Sequence, residues 1–163
     1  MGEPVERDAV PAEFEFSSSF VDLYYECFTP MVRLAWALTG SEAMAEDLAQ
    51  DAFVRVHAHW ERVEHPRAYL RQAVVNACRS ASRRSRRERS TDPPLLAEVA
   101  QLEADELFDA LAGLPYRQRA ALVLQFYEGL PQSEIAELLH CREGTVASLV
   151  HRGLAQLRRV IES

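Results

Sequence analysis

The chain contains no lysine: all eighteen of its basic residues are arginine. Arginine holds its charge at any working pH and offers a planar fork of donors that suits phosphate and base edges. Cysteine is scarce too. Cys27, Cys78 and Cys141 stand far apart, are odd in number and form no CxxC pair. That argues against a disulfide framework or paired zinc ligands and leaves reduced thiols as the expectation. Six glycines are scattered over 163 residues, and none builds a phosphate-cradling loop. A nucleophile elbow and a paired-carboxylate motif are also missing, so a protein that is not an enzyme is expected. His57 and His59 are two apart, with His65 nearby. Residues two apart on a helix point in different directions, so neither a metal nor another cofactor is expected. Charges interrupt every apolar run before the roughly 18 residues that a membrane span needs. The opening "MGEPVERDAVPAEFEF" is acidic and lacks the basic and apolar regions of a secretory signal. A cytoplasmic protein without membrane insertion is the expectation.

What the chain has in excess is acid, and its placement matters more than its amount. The net charge is −7, yet "CRSASRRSRRERS" at 78–90 packs six arginines into thirteen residues. Residues 1–16 carry −4, 17–90 carry +2, 91–114 carry −6 and 115–163 carry +1. All the excess negative charge therefore lies in a tail and a connector, and two mildly basic modules flank the connector.

Hydrophobic periodicity is helical nearly throughout. After a "SSS" cap at 17–19, Phe20, Leu23, Tyr24, Phe28, Met31, Leu34, Ala35 and Leu38 recur at spacings of three and four up to Gly40, which predicts one helix. Ser41 can cap a second helix with Leu48, Ala49, Ala52, Phe53 and Val56 inward. Trp60 to His65 read as a loop that exposes Trp60, and Pro66 suits a first helical position. The third helix turns Tyr69, Leu70, Ala73, Val74 and Ala77 inward and ends in the arginine run. Two prolines in "STDPPLLAEV" stop it. A second helical set begins near 103, with one helix from Pro115 through about Glu128, a break at Gly129 and two more helices after it. No period-2 alternation argues for a strand. The expected fold is all-α: a tail at 1–16, a helical module at 17–90, an acidic linker at 91–105 and a second module at 106–163.

Two segments carry chemistry. "SEIAELL", a short turn "HCRE" and "GTVASLVHRGLAQLRR" have helix-turn-helix spacing. In the second helix Val146, Leu149 or Val150, Leu154 and Leu157 make the buried face. Thr145, Ser148, His151 and Arg152 fall on the outer face near the N-terminus, where a recognition helix meets base edges in a major groove. Arg158 and Arg159 follow about two turns later, where contact with phosphates is expected. The arginine run is the second segment. Near it stand Asn76, Arg79, Trp60 and Tyr69, and basic groups beside aromatics suit single-stranded nucleic acid, because arginines hold the backbone while rings stack on unpaired bases.

The ordered set "AEDLAQDAFVRVHAHW", "PRAYLRQAVVNACRSASRRSRR" and "LPYRQRAALVLQFYEGLPQSEIAELLHCREGTVASLVHRGLAQLRR" resembles bacterial RNA polymerase sigma factors, specifically the short extracytoplasmic-function group of the sigma-70 family. The resemblance covers about 17–90 and 103–160. It implies a subunit that binds core polymerase and directs promoter-specific initiation. Asp47, Gln50, Asp51 and Arg55 match the surface that docks on the clamp helices of the largest subunit. Trp60, Asn76, Arg79, Arg83 and Arg84 match the part that opens the minus-10 element and captures single-stranded bases. Thr145, Ser148, His151 and Arg152 match the face that reads the minus-35 duplex, in the module that meets the flap of the second-largest subunit. The connector matches a segment threading toward the active centre, and an anti-sigma protein is an implied partner.

The chain departs from the family pattern in places. Relatives commonly carry basic residues where this chain has Ala147 and Leu149, often glycine where His140 stands, and in some members arginine at Gln125. A weaker minus-35 contact is therefore expected. Two other readings remain open from the residues alone: a stand-alone helix-turn-helix regulator of duplex operators, and a module that binds polymerase or an anti-sigma protein without initiating. A simple repressor has no need of a single-strand face and usually requires a dimer, for which no heptad is visible.

Overall fold

The computed structural model describes residues 18–89 and 104–163, with side chains from Ser19 to Ser85 and from Glu106 onward. The acidic tail and most of the acidic connector lie outside the described residues. Seven α-helices and no strand occur among the described residues: α1 Ser18–Thr39, α2 Glu42–Ala58, α3 Pro66–Arg89, α4 Ala104–Ala112, α5 Tyr116–Leu122, α6 Gln132–Leu139 and α7 Glu143–Ile161.

In the first module the three- and four-residue spacing becomes a buried stripe. Leu34, Ala35 and Leu38 of α1 are fully buried, as are Ala45, Ala49 and Val56 of α2 and Leu70 and Val74 of α3. The alanines of α2 let α1 approach closely. Gly40 ends α1 at φ +74, a conformation that costs a residue without Cβ little. Ser41 then caps α2, its Oγ accepting from the Met44 N–H at 3.3 Å. Pro66 is the first residue of α3. Trp60 does not stand free on its loop. The loop folds into a 3-10 turn over Trp60–Arg62, and the indole meets Phe20 edge-on, centroids 5.4 Å apart, so the ring is half-buried. A large amphipathic ring next to an apolar core edge is drawn inward at one face.

In the second module α4 begins at Ala104, close to the helical start expected near 103 and two residues ahead of the module start expected at 106. The helix expected from Pro115 to Glu128 forms with a change of pitch. Pro115 caps α5, whose last turn widens into a π-helical turn over Val123–Tyr127; the Glu128 N–H reaches back to the Val123 carbonyl at 3.1 Å. Gly129, at φ +66, then turns the chain. Gly153 of α7 lies where a Cβ would meet Leu122 Cδ1 at 2.9 Å, so its missing side chain lets α5 and α7 cross closely.

The two modules are docked against each other, which a reading of two units on a strap did not foresee. Trp36 of α1 stacks on Phe108 of α4, centroids 4.3 Å apart. Arg71 of α3 pairs with Glu128 at 3.1 Å. The Tyr116 hydroxyl donates to the Val75 carbonyl of α3 at 3.0 Å. Arg119, buried at 8% exposure, donates to the Leu38 carbonyl at 2.8 Å and to Leu114 O at 3.3 Å. Leu38 lies in the last turn of α1, where carbonyls lack an intrahelical partner and the helix dipole favours a cation. A residue of one module thus completes a helix end of the other.

Burial at this join raises two acids. The Cys78 thiol is pushed up to about 12 by desolvation, against the pull of Arg119. Tyr116 is raised as well, first by burial, then by Cys78, with Arg119 and Arg79 opposing. Both groups prefer to stay neutral when folded. The stability they support is therefore fully present below the ordinary thiol value of 9.0 and is lost as pH rises from there. A urea-denaturation series from pH 7 to 11 is expected to give a midpoint that falls above about pH 9 in the native chain and falls less in Cys78→Ala.

Candidate nucleic-acid interface

On α2, Asp47, Gln50, Asp51 and Arg55 are all exposed along one face. Val54, 67% exposed, joins them. The inward-facing pattern gave no sign of it, because an isolated exposed valine reads as ordinary surface. A polar face with one apolar centre can meet a protein partner.

The basic end of α3 is built on the same helix that fills the first core. Asn76 is half-buried, and its Oδ1 accepts from Arg79 at 3.3 Å, which aims the guanidinium along the helix. Arg83 and Arg84 are exposed, while Leu70, Val74 and Cys78 anchor the opposite face. Tyr69 is half-buried beside His59, ring centroids 6.2 Å apart. His57 packs on Phe20, His59 Nδ1 lies 2.9 Å from the Arg55 carbonyl, and no group of three or more His, Cys, Asp or Glu placed to hold a metal occurs among the described residues.

The helix-turn-helix has a three-residue turn, Glu143 belonging to α7. His140 takes the left-handed conformation at φ 52. Its N–H donates to Glu137 O, and the Cys141 N–H donates to Ala136 O at 2.9 Å, the paired bonds of a helix end that usually carries glycine. Histidine there costs of order 1 kcal/mol. His140→Gly is expected to stabilise the chain by about 1 kcal/mol, raising the melting temperature by roughly 2–4 °C in calorimetry.

In α7, Val146, Leu149, Val150 and Leu157 are buried, and Leu154 is half-buried against the core. Ser148, His151 and Arg152 are exposed, with Thr145 half-exposed beside them. Arg152 Nε donates to the Ser148 carbonyl at 3.2 Å, which keeps the side chain along the helix surface. The two departures on this helix separate cleanly: Ala147 is exposed and Leu149 is 6% exposed. Leucine at 149 is therefore a core residue here and subtracts nothing from the outer face. Gln125 is half-buried with its Oε1 unpartnered among the described residues.

Docking brings the two basic faces together. Arg79 and Arg83 of α3 and Arg152 of α7 line one cavity, about 1100 Å³ in volume, between the modules. Asp47, Gln50, Asp51 and Arg55 stay outside it, as do Trp60, Asn76, Arg84, Thr145, Ser148 and His151.

The family described as Sigma-70 region 2 matches residues 24–88, and that described as Sigma-70, region 4 matches 104–157. The RNA polymerase sigma-E factor of Streptomyces coelicolor is 34% identical over 138 residues, covering 78% of this chain and 77% of that protein. The ECF RNA polymerase sigma factor SigL of Mycobacterium tuberculosis is 31% identical, covering 86% of this chain and 87% of its own. In fold, the chain is similar to the sigma factor RpoE of Bartonella quintana, solved in complex with the anti-sigma factor NepR, with TM-score 0.76 at 24% identity over 90% of this chain and 98% of that one. With both regions present in order and relatives aligned over most of their length, the chain belongs to the extracytoplasmic-function sigma factors of the sigma-70 family, which direct RNA polymerase to promoters.

Proposed function

We propose that the three faces divide the work of initiation. The exposed face of α2, with Asp47, Gln50, Asp51 and Arg55 around Val54, docks on the clamp helices of the largest subunit of core polymerase, and the 106–163 module meets the flap of the second-largest. The 17–90 module, with Trp60, Asn76, Arg79, Arg83 and Arg84, opens the minus-10 element and holds single-stranded DNA. Arginines take its phosphates, and the free edge of the half-buried indole is the stacking surface. Thr145, Ser148, His151 and Arg152 read the minus-35 duplex in the major groove. No residue is assigned a catalytic role; the protein acts by binding, in the cytoplasm, and carries no cofactor. The acidic connector runs toward the active centre. An anti-sigma protein is a further partner, in line with the similar sigma factor solved in complex with the anti-sigma factor NepR.

The observation that carries this reading is the pairing, in one chain, of an exposed arginine helix end with an exposed outer face on α7. A stand-alone duplex regulator has a use for the second and none for the first. Arg79, Arg83 and Arg152 share one cleft when the modules are docked, so engagement of two separate promoter elements requires the modules to part. On core polymerase they part, and the tether then holds both readers near a two-part site at high effective concentration.

The outer face of α7 gives a direct test. Ala147 is exposed beside Ser148, so Ala147→Arg adds a cation where duplex phosphates pass. Fluorescence anisotropy of the protein–core complex on a minus-35 duplex is expected to give tighter binding and a salt slope steeper by about 0.9, the increment for one duplex phosphate. Unchanged affinity and slope would mean that this face does not meet DNA.

A further inference from the structure

The cavity between the modules has an unusual lining. Arg79 and Arg83 enter from α3, Arg117 from α5, His140 from the turn after α6 and Arg152 from α7, with Arg119 also in the lining and no carboxylate among the described residues of the wall. The four arginines other than Arg119 have no ion-pair partner among the described residues. Among the described residues three of them make a hydrogen bond through a single donor: Arg79 to Asn76 Oδ1, Arg117 to Leu139 O and Arg152 to Ser148 O. Each guanidinium has five N–H groups, so most of the donors remain available. Like charges held around one cleft repel, which disfavours the docked arrangement unless an anion sits among them.

We propose that this cleft binds a small oligophosphate, a chain of two or more linked phosphates such as a nucleoside polyphosphate carries, and that the bound anion holds the modules together. Size, geometry and charge point to this class. A volume of about 1100 Å³ lies at the upper end of small-ligand sites, and its walls come from both modules, so it exists only when they are docked. Arginine forks pair with phosphate oxygens two at a time, and four arginines on three helices match several linked phosphates better than one isolated anion. Arg83 and Arg152 belong to different DNA faces, so a ligand that spans them competes with promoter DNA for both. This last consequence rests on the assignment of those residues to DNA; the binding itself does not.

Isothermal titration of the full chain with inorganic tripolyphosphate, in about 0.1 M salt and without divalent cations, tests the proposal. One site per chain is expected, with a raised melting temperature. Arg117→Gln should weaken binding at least tenfold. Arg117 is not among the side chains assigned to DNA, so its substitution should leave binding of the minus-35 duplex by the free chain unchanged in the absence of phosphate ligand. ATP in a second arm should bind at the same site and be displaced by tripolyphosphate. No binding, or binding at several equivalent sites that Arg117→Gln leaves intact, would overturn the proposal. A ten-nucleotide single strand that binds the cleft in an Arg117-dependent way, where tripolyphosphate and ATP do not, would overturn it equally. If tripolyphosphate binds as expected but does not reduce binding of the minus-35 duplex by the free chain, the site stands and the placement of Arg152 on DNA fails.

Discussion

Arg119→Met is expected to loosen the join between the modules by roughly 2–4 kcal/mol. The guanidinium donates to Leu38 O and Leu114 O from a buried position. Hydrogen bonds to a charged group contribute about 1.5–3 kcal/mol each, and an abandoned buried acceptor adds its own desolvation cost. Methionine keeps the volume and some of the packing, so the loss is electrostatic more than steric. Two readouts should move in opposite directions. Stability to urea falls, whereas apparent affinity for core polymerase rises, because a binding-competent open form that is rare in the native chain becomes common. A shift of 2 kcal/mol corresponds to about thirtyfold. Tyr116→Phe deletes only the hydroxyl bond to Val75 O and should move both readouts the same ways by about 1 kcal/mol. Lower stability with unchanged core affinity would mean that polymerase binds without parting the modules.

The second large effect concerns opening of promoter DNA. Arg83 and Arg84 are exposed and form no ion pair among the described residues, so replacing both with alanine should change stability by no more than about 0.5 kcal/mol. The double variant should still bind core polymerase through α2. Its population of open complexes, read by reactivity of unpaired thymines to permanganate, is expected to drop at least about tenfold. The logarithmic salt slope for single-strand capture should become shallower by about 1.4, twice the ~0.7 of one single-strand phosphate. Unchanged opening would remove this helix end from the melting surface.

Much of this architecture is legible in the sequence, because helix boundaries here are set by local chemistry. Ser41, Pro66, Gly40 and Gly129 act where their conformational preferences say they should. The inward stripes of α1, α2 and α7 follow from spacing alone. The half-burial of Trp60 is not legible, because a loop residue's exposure depends on what stands opposite it, here Phe20, about forty positions earlier in the chain. The widened turn at Val123–Tyr127 has no residue that announces it. Docking of the modules was illegible for a different reason. It rests on a few long-range bonds, and Arg119 looks like any surface arginine until Leu38 is placed beside it. The candidate residues on α7 follow from helical phase and those at the basic end of α3 from charge beside aromatics, whereas Asp47, Gln50, Asp51 and Arg55 on α2 follow only from the resemblance to the family. That Arg79, Arg83 and Arg152 would share a cleft could not be read this way, since no periodic pattern relates α3 to α7.

The most direct test of the central claim is multi-round transcription by purified core polymerase from a genomic fragment library, with and without this protein. Defined starts are predicted that occur only when the protein is present and that share a two-part upstream motif. Those starts should be lost in the Arg83→Ala, Arg84→Ala double variant while core binding persists. Duplex binding by the free chain with no core association and no new starts would contradict the account and return the protein to the stand-alone regulators.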